Sequence, residues 1–218
     1  MTDERPAPAA GLRERKKRRT RDALLRAALL LFISQGYERT TVDEITDAVE
    51  VSQRTFFRYF ANKEEVAFAV QDLVESHFVA ELRARPASEA PLEAMRGAVL
   101  AAWDTVEEAI SEVVPIDLYM RGYQLIESTP ALLAVHLRRS TELEEEIARL
   151  IAAREGLDLD TDPRPRVAVA AFSGVMRVTG RLWGQGEDTS VAAIRRMTEA
   201  YLDQIGPALA ADWRRNGA

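Results

Sequence analysis

The chain contains no cysteine. That excludes disulfide scaffolds, thiolate metal sites and cysteine nucleophiles together, and it fits a reducing compartment. Histidine is nearly absent too. With only His77 and His136, a three-histidine metal site cannot be built and histidine catalysis is thinly supplied. Uncharged runs such as Ala27 to Tyr37 and Val167 to Met176 fall well below the ~20 residues of a membrane-spanning helix. The N-terminal stretch lacks the apolar segment of a secretory signal, so a cytoplasmic protein is expected. No GxGxxG or GxxxxGK[ST] loop is present to cradle phosphates. No cluster of acids, bases or metal ligands converges in the sequence, so neither an enzyme nor a cofactor is expected.

What the sequence does have is an uneven charge. Its 29 basic and 35 acidic residues give a net of −6. Through Lys63, 13 Lys/Arg face 9 Asp/Glu, a net of +4, while the remainder holds 16 against 26, a net of −10. A basic head on an acidic body points to a polyanion met by the head alone. Within it, Arg13 to Arg21 carries seven basic residues against Glu14. Cations at a helix start oppose the macrodipole, so an anionic partner explains the run better than helix stability does.

With 218 residues, 47% of them hydrophobic, the chain can bury one or two cores. The pattern is helical throughout, with no useful period-two stretch. Leu25, Ala28, Leu29 and Phe32 share a helix face, and Gly36 offers a stop. Thr41-Val-Asp-Glu44 reads as a capping box, with Val42, Ile45 and Val49 inward. Ser52 is the next N-cap, opening Gln53 to Tyr59, and Asn62 starts a long helix to about Leu82. Helices this short do not hold themselves in water, so they must pack as a small tri-helical head. Two short helices on a tight turn, the second polar and basic, form a helix-turn-helix.

The remainder also reads as helices. Leu92 to about Ser111, Pro115 to Ile126, Pro130 to Glu155 and Arg166 to Trp183 are predicted, then one capped at Asp188 or Thr189 and running to about Trp213. Acidic runs such as Glu142 to Glu146 read as a solvated face. The expected fold is all-α. Residues 1–20 form a disordered basic arm, 21–66 the helix-turn-helix domain, and 67–218 a second helical domain.

In the second short helix, Ser52 and Thr55 can offer hydroxyls to phosphates. Its N-terminal amides favour an anion. Arg54 and Arg58, four apart, share one face, and arginine is the side chain best fitted to guanine O6 and N7. Gln53 can read adenine or contact backbone. Phe56 and Phe60 read as core, with Phe57 and Tyr59 nearer the DNA surface.

The stretch Leu24 to Val70, LLRAALLLFISQGYERTTVDEITDAVEVSQRTFFRYFANKEEVAFAV, resembles the DNA-binding head of TetR-type transcriptional regulators. The likeness rests on Gly36-Tyr37, Thr40-Thr41-Val42, Val51-Ser52, Thr55, the aromatic cluster Phe56 to Phe60, and Lys63-Glu64. It implies that Thr41 and Lys63 hold phosphates at helix starts. It also implies a homodimer through the last two helices. Their faces would be Val167, Ala171, Val175, Val178 and Leu182, then Val191, Ile194, Tyr201, Ile205 and Leu209. A cavity in the second domain would bind a small effector, with Trp103, Tyr119, Met120, Tyr123, Phe172, Met176 and Arg177 as candidate lining. TFFRYF, RGYQLIESTPAL and the Leu157–Arg166 loop look like an actinobacterial subgroup that binds acyl-CoA-like ligands. Two positions depart from the family pattern. Glu50 stands where glycine is usual, and Phe57 where tyrosine often stands. The function implied is a ligand-responsive repressor on a palindromic operator. An activator of the same fold, or a helical interaction protein that does not bind DNA, are the alternatives.

Overall fold

The computed structural model describes residues 8–188 and 190–210, with side chains from residue 11 onward. All regular structure among them is helical. The helices are α1 (Pro8–Gln35), α2 (Val42–Asp47), α3 (Gln53–Phe57), α4 (Lys63–Ala84), α5 (Pro91–Ser111), α6 (Ile116–Ser128), α7 (Pro130–Glu155), α8 (Arg164–Gly184), α9 (Val191–Leu202) and α10 (Ile205–Ala210).

Two compact units divide the chain: one runs to Asp72 and adds Ile110–Thr129, and the other holds Leu73–Ala109 and Pro130 onward. The first therefore extends beyond the expected head by the start of α4 and the whole of α6. α6 joins it because its apolar side, with Leu118, Tyr119, Met120 and Ile126 buried, lies against α1. Gly122 makes the approach possible: a Cβ there would lie 3.3 Å from Leu29 Cδ2. Around this meeting of helices Leu24, Leu25, Phe32, Ile45, Phe56 and Phe68 are fully buried.

α1 corrects the expected disordered arm. Residues 8–20 continue the helix, and the run from Leu12 to Arg19 is made of Arg, Lys, Glu and Leu, all good helix formers. Residues 1–7, which the arm also covers, lie outside the described residues.

The second unit packs α7 on α8 and α8 on α9. Its core joins Phe78 and Leu82 of α4, Met95 and Val99 of α5, Ile147 and Ile151 of α7, and Val169 and Phe172 of α8. Phe78 and Phe172 stack at 5.6 Å with rings 14° from parallel. The acidic run of α7 is not merely solvated. Glu144 pairs with Arg177, Glu145 with Arg166 at 2.8 Å, and Glu146 with Arg83 at 3.2 Å.

The last helix differs from its expected form in two ways. Ser190, not Asp188 or Thr189, is the N-cap, accepting from Ala193 N at 3.1 Å. Asp188 instead accepts from the Ser190 amide and hydroxyl. The helix then breaks between Leu202 and Ile205. Pro207 explains the break, since it has no N–H for the Asp203 carbonyl and its ring crowds that turn. Trp213 lies outside the described residues.

The residues of the expected dimer face differ in their exposure. Val191 and Ile194 are 8% and 2% exposed, sealed into their own chain. Val175 and Ile205 pack against the second core. Val167, Leu182, Tyr201 and Leu209 are open to solvent.

Candidate nucleic-acid interface

Three caps build the helix-turn-helix. Thr41 Oγ1 accepts from Glu44 N at 3.2 Å, and Glu44 Oε2 accepts from Thr41 N at 2.8 Å, so the capping box is complete. The Thr41 hydroxyl also donates to Glu44 Oε2, at 3.0 Å, and the Thr41 amide, that hydroxyl and Gln35 Nε2 together hold the Glu44 carboxyl below its ordinary range. Ser52 Oγ accepts from Thr55 N at 3.3 Å at the start of α3. Asn62 Oδ1 accepts from Glu65 N at 2.8 Å at the start of α4.

The link between α2 and α3 is a Schellman motif. Val51 N donates to Thr46 O at 3.0 Å and Glu50 N to Asp47 O at 3.1 Å. This pairing needs a left-handed residue at Glu50, whose φ is 56°. The same bonds close α7, from Leu157 N to Ala152 O and Gly156 N to Ala153 O, but there the left-handed residue is a glycine. Glutamate at such a position costs about 1–2 kcal/mol.

α3 is one helical turn and a little more, ending at Phe57 rather than Tyr59, with Arg58 as its C-cap. Phe56 anchors it, fully buried, with its ring centroid 5.7 Å from that of Phe60. The residues expected to meet DNA lie on its other side. Arg54 is exposed and makes no hydrogen bond or ion pair among the described residues. Arg58 is exposed, with its guanidinium 4.8 Å from the Tyr59 ring centroid and Nη2 donating to the Tyr59 hydroxyl at 3.0 Å. No carboxylate neutralises either arginine among the described residues. Phe57 is 52% exposed, while Tyr59 is half-buried.

Four other candidates are engaged internally. The Ser52 and Thr55 hydroxyls hydrogen-bond each other at 3.1 Å, which leaves one hydroxyl proton of the pair for a phosphate. Gln53 Nε2 donates to Asp43 Oδ1 of α2, so its amide is oriented by a neighbour the sequence reading missed. The clue was available: the tight turn between α2 and α3 brings the helix starts together. Lys63, expected on a phosphate, points its ammonium at backbone carbonyls of Tyr37, Glu38 and Thr40.

The arm adds charge beside this surface. Arg21, at its foot, lies 5.2 Å from the centroid of Phe60, the ring that backs α3. The cations from Arg13 to Arg19 are exposed along the helix beyond. Within α1, Asp22 is only 7% exposed, and burial pushes its carboxyl above the usual range despite Arg21, Arg26 and Arg18.

The candidate effector residues divide between the units. Tyr119, Met120 and Tyr123 lie on α6 in the first, where the Tyr119 hydroxyl donates to Gln71 Oε1 at 3.4 Å and burial pushes the Tyr123 phenol up. Trp103, Phe172, Met176 and Arg177 lie in the second. Phe172 is core, Arg177 is paired with Glu144, and the buried indole nitrogen of Trp103 has no hydrogen-bond partner among the described residues.

Comparison with known proteins agrees with this geometry. The family of bacterial regulatory proteins described as tetR matches residues 24–70, and the MftR C-terminal domain matches residues 89–210. The HTH-type transcriptional regulator TcmR of Streptomyces glaucescens is 53% identical over 208 residues, 95% of this chain and 92% of that one. The HTH-type transcriptional repressor NicS of Pseudomonas putida is 30% identical over 95 residues, 43% of this chain and 45% of that one. Among solved structures, the fatty acid degradation regulator FadR of Bacillus halodurans shares the fold. Its TM-score is 0.57 at 16% identity, covering 96% of this chain and 100% of that one.

Proposed function

The chain belongs to the tetR family of transcriptional regulators, and from that premise we propose that it works as a homodimeric repressor, released from its operator by a small molecule. The observation that carries the DNA reading is the pair Arg54, on α3, and Arg58, its C-cap, both exposed with no carboxylate beside them among the described residues. Arginine bidentate to guanine discriminates a base by about 1–3 kcal/mol. Phe57 adds an apolar edge of the kind that meets a thymine methyl. Thr55 and Ser52 serve phosphates, and the cations of α1 serve the flanking backbone.

One head with so short a reading helix covers too few base pairs for operator affinity, which argues for two heads on a palindrome. Half-sites would then lie about 34–36 Å apart, or a multiple of that. On α8, Val167, Ala171, Val178 and Leu182 recur on one side and are exposed or half-buried in the single chain. With Tyr201 and Leu209 beyond them, these are the residues a second copy would cover. The effector shifts the population toward a spacing of heads that no longer fits successive grooves. The orphaned Trp103 indole N–H supports a polar group on that effector, and the resemblance suggests an acyl-CoA-like one. The site of action is the cytoplasm, where the operator is.

The test is recovery of genomic DNA bound by the protein, followed by mobility-shift titration with whatever small molecule copurifies. Repression with release predicts a retarded operator band that the molecule abolishes. A band the molecule strengthens would favour an activator. No retarded band would favour an interaction protein.

A further inference from the structure

Lys63 is the first residue of α4 and is only partly exposed. Its Nζ lies 2.6 Å from Tyr37 O, 2.8 Å from Thr40 O and 3.4 Å from Glu38 O. It also lies 4.4 Å from the centroid of the Tyr37 ring. From this cage we infer that Lys63 is a positioning residue which ties the entrance of α2 to the start of α4, and so sets the angle at which α3 is presented, without itself holding a DNA phosphate. The inference rests on the DNA-binding function of the head.

An ammonium group has three N–H donors and no more. Here three carbonyls and an aromatic face already surround it, so a phosphate oxygen could enter only by displacing one of them. Burial lowers the lysine pKa, and the charges of Glu38 and Glu44 oppose that shift only in part. The carbonyls it gathers are not arbitrary. Thr40 is 1% exposed and directly precedes the Thr41 cap of α2. Its own N–H and hydroxyl are bound to Gly36 O at 3.3 and 2.9 Å. Lys63 in turn follows Asn62, the cap of α4, three residues after the core ring of Phe60.

One charged group thus closes the loop of chain that contains α2 and α3, joining its two ends. Charge-assisted bonds of this kind are roughly twice as strong as neutral ones. Tyr37 completes the joint, its ring edge-on to Phe32 of α1 at 5.1 Å. Removing the ammonium frees the 37–40 carbonyls and lets the helix pair tilt on its hydrophobic footing.

The experiment compares the full-length protein with Lys63→Met and Lys63→Arg for binding to an operator fragment across a series of salt concentrations. It is run well below the melting temperature, with circular dichroism verifying that each is folded. Should Lys63→Met fail to fold, Lys63→Gln takes its place. A positioning role predicts affinity about tenfold lower at every salt concentration, as expected for the loss of charge-assisted bonds. The slope of log K against log salt should be unchanged. Lys63→Arg should not rescue, because a planar fork cannot converge on three carbonyls around a point. A phosphate ligand would instead lower the slope by about 0.9 and be restored by arginine, which would overturn the proposal. Unchanged affinity in the folded variants would overturn it as well, leaving Lys63 a stabilising residue only. Failure of the unaltered protein to bind any DNA would sink the functional reading and this inference with it, and is distinguished by that control alone.

Discussion

The Val51 amide donates to the Thr46 carbonyl across 3.0 Å, and that bond holds Glu50 in the left-handed conformation at the turn of the helix pair. Glu50→Gly is expected to stabilise the protein by about 1 kcal/mol, by removing the cost of a side chain there. Because a negative charge near phosphates is removed as well, operator affinity should rise. Denaturant melts and anisotropy titrations check both, and a destabilised variant would contradict the strained turn.

Arg54→Ala and Arg58→Ala are each expected to cost about 1–3 kcal/mol on the preferred operator and little on unrelated DNA. The readout is the ratio of the two affinities. If that ratio stays put in both variants, neither arginine reads a base.

Removing residues 1–21 takes away seven cations of the Arg13–Arg21 run. Affinity should fall on every sequence, and the salt slope should drop by about 0.9 for each phosphate that the shortened chain no longer neutralises. Operator preference should survive. A slope identical to that of the intact chain would show the helical arm to be idle.

On α8, Val167 and Leu182 are 65% and 38% exposed, whereas Ile194 on α9 is 2% exposed. Val167→Asp combined with Leu182→Asp should therefore yield folded monomers by sedimentation. Ile194→Ala should keep the dimer and lower stability by about 2–5 kcal/mol. Monomers from the alanine variant alone would relocate the interface.

Asp22 supplies a pH signature. Its folded pKa is raised by burial, so the cost of its charge is fully present at neutral pH and disappears as pH falls below the unfolded value near 3.8. Asp22→Asn should melt higher than the unaltered protein at pH 7, with the gain shrinking towards pH 4. An equal gain at both values would mean that burial of the charge is not the cause.

Much of this was legible in the sequence because local signals and tertiary demand coincide in the head. Thr41, Ser52 and Asn62 cap where their neighbours place them, and Phe56 and Phe60 are buried on spacing alone. Side-chain engagement was not legible. The lysine at 63 gives no sign in sequence of the carbonyls it gathers 23 to 26 residues away, nor Gln53 of Asp43. The apolar faces of α8 and α9 were visible as periodic stripes, but period cannot say which stripe meets its own chain. Ile194 is buried in the monomer and Val167 is not.

The most direct test selects binding sites for the purified protein from a random DNA pool, in parallel with the double variant of Arg54 and Arg58 to alanine. Two inverted half-sites, about one helical turn or a multiple apart, should be enriched by the unaltered protein, and that enrichment should vanish in the double variant. Enrichment of single, unpaired sites, or the same sites from both proteins, would contradict a paired reader that works through α3.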